Sequence, residues 1–217
     1  MSALEYDFES LSKEKRYKLL CGFVAPRPIA LVTTASTEGV GNAAPFSFFN
    51  VFGDEPPILI LGIQAKPDGT PKDTTANIRA TGEFVVHLVD GAMARQMVDC
   101  AIDFPTGVNE ITATGLTAVP SRKVRPMRIV EAPAALECRL TQSIEYPGRS
   151  IFVGQVLNMW VRDDCIDPSS LHVLPETYHP LARLHADCYL VADNLFELKK
   201  QPLENFRARS KESEVLV

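Results

Sequence analysis

The stretch that most constrains the fold lies between residues 134 and 162. Ala134–Tyr146 and Ser150–Arg162 both alternate apolar and polar residues, and Pro147-Gly148-Arg149 separates them. A period of two is the signature of a strand, because successive side chains point to opposite faces. Two such runs joined by a short Pro-Gly turn predict a long antiparallel hairpin. In its second strand Ile151, Val153, Gln155, Leu157, Met159 and Val161 share one face, and Phe152, Val156 and Trp160 mark the other. Both faces are partly apolar, so the hairpin is expected between an inner core and a second covering surface.

The rest of the chain reads as shorter pieces of the same kind. Strands are predicted over Pro28–Thr34, Ala43–Val51, Ile58–Ile63 and Glu83–Val89, with the first three forming an antiparallel meander. A short amphipathic helix over residues 9–20 is expected to close at Gly22. A second, Asp73–Ala80, has Asp73 as its N-cap and Gly82 just past its last turn. After Asp90, Met93, Met97, Val98, Ala101 and Ile102 recur at three- and four-residue steps, which predicts a helix whose methionines belong to the core. Residues 104–133 read as loop with at most short strands, and 163–180 as loop. Ala186–Ala192 and Leu195–Leu198 supply the last strands, and the charged tail 199–217 lies outside the core of about 20–200. With no internal repeat and no Gly-, Ser- or Pro-rich linker, residues 1–217 are expected to form one mainly β domain with a few helices.

Composition mostly excludes. A net charge of −5 over 217 residues argues against a partner that requires many phosphates to be neutralised, so nucleic acid is not expected. Arg122, Lys123, Arg125 and Arg128 cluster locally, but without interleaved aromatics they read as a solvated loop. The five cysteines are scattered and odd in number with no C-x-x-C pair, which fits reduced thiols in a cytoplasmic protein. The start MSALEYDFES lacks the basic and apolar regions of a secretory signal, and no apolar run approaches the ~20 residues of a membrane span. No metal site is expected, since the four histidines form no i, i+4 pair on a convincing helix.

Two segments suggest chemistry. Lys72-Asp73-Thr74-Thr75-Ala76-Asn77 places a cation and hydroxyls at the start of a helix, where unpaired N–H groups favour an anion such as phosphate. Taken alone, this hexapeptide is more simply a plain capped helix. Asn42-Ala43-Ala44-Pro45-Phe46-Ser47-Phe48-Phe49-Asn50 combines aromatics with Asn and Ser, as a flat ring with one polar edge requires. An ordinary aromatic strand explains Phe46 and Phe49 equally well. It explains Pro45 less well, because proline forfeits a ladder hydrogen bond and marks an edge or bulge.

Taken in order, Arg27 to Thr34, Asn42 to Asn50, Lys72-Asp73-Thr74 with Asn77, Gly82 to Val86, and Pro180 to Leu184 resemble the flavin-reductase-like family of FMN-binding split barrels, which includes reductase components of two-component monooxygenases. The resemblance implies a homodimeric, antiparallel split β-barrel that binds FMN in preference to FAD. It implies that Thr33, Thr34 and Asn42 line the cofactor, that Ser47, Phe48, Phe49 and Asn50 flank its ring, and that Lys72, Thr74 and Asn77 approach its phosphate; Pro45, Phe46 and Asp73 are counted with the cofactor-binding residues, Asp73 as a holder of the backbone rather than an anion contact. Arg27 is a further implied contact, and His87, Arg183 and His185 are placed along substrate access. The sequence departs from the family pattern at His87, where an Asn is expected, and at His185 and Ala186, where many relatives carry two glycines.

The implied activity is NADH- or NADPH-dependent reduction of flavin by hydride transfer to N5, with a monooxygenase as a candidate recipient of the reduced flavin. No catalytic acid–base pair is required, because the cofactor carries the difficult chemistry. A second reading is an FMN-binding electron-transfer or redox-sensing protein without rapid NAD(P)H turnover. A third is a barrel of the same type that has lost flavin.

Overall fold

The computed structural model describes residues 2–105 and 107–203. The tail beyond 203, which the sequence assigns to a charged extension, falls outside the described residues. In chain order the elements are α1 (Lys13–Phe23), β1 (Arg27–Pro28), β2 (Ala30–Ala35), β3 (Gly41–Phe46), β4 (Phe49–Asp54), β5 (Pro57–Gln64), α2 (Asp73–Thr81), β6 (Glu83–Leu88), α3 (Ala94–Asp99), α4 (Glu110–Ala113), β7 (Ala118–Val119), β8 (Arg128–Ile129), β9 (Ala134–Tyr146), β10 (Arg149–Val161), β11 (Leu181–Arg183) and β12 (Tyr189–Val191).

Seven strands form one antiparallel sheet in the order β3-β2-β6-β9-β10-β5-β4, and its core is the β9–β10 hairpin. β3 and β4, consecutive in the chain, lie at its opposite edges. The expected single strand 43–51 is therefore two strands. Ser47 and Phe48 carry the chain across the gap between the edges, which is the split of the barrel. Pro45 sits on the edge strand β3, where a missing N–H is tolerated.

The inner face holds Ala30, Val32, Phe49, Leu59, Leu61, Ile63, Phe84, Leu136 and Phe152, with Ile78 of α2 joining the same cluster. A second cluster lies on the outer side of β2, where Leu31 meets Met93, Met97, Ile111 and Ile129. Met93 and Met97 are thus core residues, in agreement with the periodicity after Asp90. The helix there is shorter than the pattern implies: Gly91–Met93 is a 3-10 turn capped by Asp90, and α3 follows it.

Two irregularities change the expected faces of the hairpin. The register shifts between Val153 and Gly154 and again between Val156 and Asn158. Each shift leaves a residue unpaired and inverts the alternation beyond it. Phe152 and Val156 remain with the barrel core, whereas Trp160 is carried to the outer face. Gly154 marks another constraint, because a Cβ there would lie 2.4 Å from Cζ of Phe84. Phe84 is fully buried and cannot withdraw. Gly154→Ala is expected to destabilise the protein by about 1–3 kcal/mol through overpacking, measured as a lowered midpoint in urea.

The first helix also differs from expectation. Ser12 caps it, its Oγ accepting from the Lys15 N–H at 3.4 Å, and it runs through Gly22 to Phe23 without a left-handed cap. In α2 the N-cap is Lys72 rather than Asp73, and Gly82 ends the helix with φ of 68°. The last strands are β11 and β12, and Leu195–Leu198 is not a strand. Residues 104–133 contain a helical turn and two short strands within the expected loop.

Candidate functional site

Strand alternation sorts the residues of β2. Thr34 follows Val32 and Ala30 on the inner face, at the end of the barrel that α2 closes. Its Oγ1 accepts from Asn77 Nδ2 at 3.0 Å. Asn42, opposite Thr34 in the register, donates from Nδ2 to Thr74 Oγ1, also at 3.0 Å. These side-chain bonds tie α2 to β2 and β3, and so fix where the helix begins. Adjacent residues on a strand cannot share a face, and Thr33 turns away. Its Oγ1 donates to the Met127 carbonyl at 2.6 Å, so it does not join this group.

The start of α2 suits an anion. Lys72 makes no side-chain cap, and Ala76 N–H is bonded to the Lys72 carbonyl at 3.0 Å, so the amides of residues 73–75 precede the first intrahelical bond. The Lys72 ammonium stands 5.9 Å from the Phe46 ring centroid, and among the described residues no carboxylate lies within ion-pair distance of it. Asp73 would repel an anion, but Lys66 pairs with it at 3.5 Å. Lys66 was not legible as a site residue. The only signal was its place at the head of the tight turn Lys66-Pro67-Asp68-Gly69, which returns it to the helix start.

The other end of the site is the split. Ser47 and Phe48 occupy the crossing, with Phe48 partly exposed and Arg149 stacked on its ring at 4.5 Å. Arg149 was also missed, since a hairpin turn residue gives no local sign of the aromatic it will meet. Phe49 belongs to the barrel core, as does most of Phe46, so neither offers the ring wall that the resemblance implied. Asn50 is exposed, and its Oδ1 accepts from the Val51 N–H at 2.8 Å. The phosphate-suited end and the split are joined by β3, about 17 Å long from Asn42 to Ser47 at the usual strand rise. This is a span suited to a molecule with an anionic group at one end and a flat ring at the other.

Arg27 is buried without a carboxylate. Nη1 donates to the Cys21 carbonyl at 2.5 Å and the Val24 carbonyl at 3.0 Å, Nη2 to the Leu184 carbonyl at 2.8 Å, and Nε to Ser47 Oγ at 3.4 Å. Most of its donors are therefore engaged by the protein. It positions Ser47 and the 184–186 turn rather than presenting a free charge. Arg183 is likewise turned inward, bonding the Tyr189 hydroxyl and the Ala186 carbonyl and stacking on Tyr189 at 4.6 Å. Ala186 holds φ of 47°, a left-handed conformation that favours glycine, so the turn keeps a glycine-like backbone with a methyl added. His185 lies beside it at the rim of a cavity.

His87 is not on any access route. It is fully buried on β6, with Nδ1 2.9 Å from the Leu31 carbonyl and Nε2 2.9 Å from the Ile129 N–H. An amide N–H can only donate, so Nε2 must accept and Nδ1 carries the proton. Burial, opposed by the Leu31 carbonyl and assisted by Arg128, lowers its pKa to about 4. It is a neutral staple between β2, β6 and β8. Among the described residues no cluster of three or more His, Cys, Asp or Glu side chains could hold a metal ion, and no helix is long and apolar enough to cross a membrane.

Known proteins share this fold. The solved structure of the 2-nitrobenzoate 2-nitroreductase NbaA from Pseudomonas fluorescens is 34% identical and covers 92% of this chain and 98% of its own, with a TM-score of 0.84. Nitrilotriacetate monooxygenase component B from Bacillus cereus is 30% identical over 91% of this chain and 100% of its own, with a TM-score of 0.86. An uncharacterized protein of Halalkalibacterium halodurans, BH2278, is 38% identical over 205 residues, covering 92% of this chain and 97% of its own. Fold, site and likeness together define a flavin-dependent oxidoreductase built on a split barrel. The chain belongs to the family described as flavin reductase like domain, which matches residues 24–182.

Proposed function

We propose that this protein is an NAD(P)H-dependent FMN reductase, working as a cytoplasmic homodimer in which residues 1–217 form one domain. The observation that carries the proposal is the uncapped start of α2, tied by Thr74 to Asn42 at one end of β3, with Lys72 reaching to 5.9 Å from the Phe46 ring and the open crossing at Ser47 and Phe48 at the strand's other end. When bound, FMN would supply the redox chemistry of a reductase that draws on reduced nicotinamide. The amides of residues 73–75 and Lys72 would hold the phosphate, as helix N-termini do. The tie from Asn42 to Thr74 keeps that helix start in place, and the tie from Asn77 to Thr34 fixes its next turn. At the crossing, Phe48 would offer an apolar wall, and the bond from Arg27 Nε would hold the Ser47 hydroxyl in place beside it.

The likeness to component B of a monooxygenase supports a two-component system, so the reduced flavin is proposed to serve a partner monooxygenase. The second reading, flavin-borne electron transfer or redox sensing without rapid nucleotide turnover, is favoured by one feature. His185 and Ala186 add bulk to a rim where the resemblance implies two glycines.

Steady-state oxidation of NADH and NADPH with added FMN separates the two. Turnover supports the reductase, no turnover with either nucleotide leaves the second reading, and a protein that takes up no FMN on reconstitution defeats both. In the same preparations Lys72→Met is expected to weaken FMN binding about tenfold, the effect of losing one charge-assisted contact. The weakening should be absent for riboflavin, which has no phosphate.

A further inference from the structure

A cavity of about 1260 Å³ lies between α1 and the outer face of β5 and β10, on the far side of the strands from the barrel core. Ile60, Gly62 and Ile151 form its floor, and Leu20 of α1 forms part of the opposite wall. Side chains at these strand positions alternate with Leu59, Leu61, Ile63 and Phe152, which face inward, so the floor is flat and apolar. Gly62 keeps it so. A Cβ there would lie 3.2 Å from the Phe48 Cβ, tight enough that Phe48 must give by a few tenths of an ångström, and in ordinary contact with Arg149 Nη1 at 3.7 Å.

The charge of the lining is opposite to that of the chain. The whole protein carries −5, yet Lys13, Arg16, Lys18 and Arg149 border this cavity against Glu14 as its one carboxylate. Arg149 is the deepest of these in consequence, because its guanidinium is already fixed over Phe48 at 4.5 Å. Its hydrogen bond to Gln64 Oε1, at 3.4 Å, uses one nitrogen, and among the described residues no carboxylate lies within ion-pair distance. A planar guanidinium held by stacking, with donors to spare, is suited to bidentate recognition of a carboxylate. A flat apolar floor beside it is suited to an aromatic ring.

We propose that this cavity binds a planar aromatic carboxylate, with the ring on the Gly62 floor and the carboxylate on Arg149. The ligand would share Phe48 with the proposed flavin wall. Its role as a substrate rests on the flavin-reductase reading, but its binding does not.

The test is calorimetric titration of the full-length protein, with and without FMN, using 2-naphthoate and its uncharged counterpart 2-naphthamide. The expected result is that naphthoate binds about tenfold more tightly than naphthamide or better. Arg149→Met should remove that difference while leaving naphthamide binding in place, and Gly62→Val should abolish binding of both. Circular dichroism melts establish that each variant is folded. Equal affinity for the two probes, or no loss of naphthoate affinity in folded Arg149→Met, overturns the proposal. So does the absence of binding by either probe, including the case in which the protein is dimeric and a second copy fills the cavity. FMN titration of the same samples keeps the two ideas apart. Naphthoate binding without FMN binding rejects only the flavin reading, and the reverse rejects only this one.

Discussion

Replacing Glu137 with alanine is expected to destabilise the protein by about 4 kcal/mol, the scale of a buried polar group whose partners are left unsatisfied. Glu137 is fully buried on the outer face of β9, yet its carboxylate accepts from four donors. They are the backbone N–H groups of Arg122 at 2.9 Å and Lys123 at 2.5 Å, Trp160 Nε1 at 2.6 Å and Asn158 Nδ2 at 3.3 Å. The bulge at Leu157 is what brings Asn158 and Trp160 to this face. Burial alone would raise the carboxyl pKa, but the hydrogen bonds from Arg122, Trp160, Lys123 and Asn158 outweigh it and hold it below the ordinary value. A lowered folded-state pKa gives stability that is present above the unfolded pKa and lost as pH falls through the folded one. The penalty of Glu137→Ala should therefore shrink in acid, which urea unfolding at neutral and acidic pH measures. Glu137→Gln should also fail to restore stability, because an amide presents one acceptor oxygen where four donors converge.

The second large effect is a pH dependence centred on His87. Protonating its ring would place an N–H on Nε2 directly against the Ile129 N–H, which is why the neutral form is held so firmly. The folded pKa of about 4 lies below the ordinary 6.5. The unfolded chain thus binds a proton between these values while the folded chain does not. Stability from this group is complete above pH 6.5 and falls as the pH drops toward 4, by about 3 kcal/mol in total at 1.36 kcal/mol per unit. His87→Asn retains one donor and one acceptor but does not titrate there. Thermal melts from pH 7 to pH 4 should be flatter for the variant than for the parent; parallel curves would count against the assignment.

The parts of the fold that were legible in the sequence are those set by local periodicity. The long hairpin, β5, β6 and α2 with its Gly82 stop all lie within a residue or so of their predicted bounds. The parts that were not legible depend on residues far away. Pro45 marks an edge, but nothing within 46–49 announces that the chain leaves one sheet edge for the other, because Phe46, Ser47, Phe48 and Phe49 contain no breaker. The crossing is decided by pairing of β3 with β2 and of β4 with β5. The bulges were hidden for a related reason, since one unpaired residue alters a face without altering composition. In the site, Asn42, Thr34, Thr74 and Asn77 do meet, but Thr33 could have been set aside by alternation alone. His87 and Phe49 sit in apolar runs whose inner and outer faces only the tertiary fold decides.

The bonds of Arg27 also carry a mechanical consequence. They join the last turn of α1 to the strand crossing and to the turn before His185, so that end of the helix moves only with the barrel. Its other end rests on the Ser12 cap and on the bond from Arg16 to the Phe8 carbonyl, both at the exposed surface. The helix is therefore anchored to the barrel at its Arg27 end, whereas its Ser12 end, over the cavity below it, is held by these surface bonds.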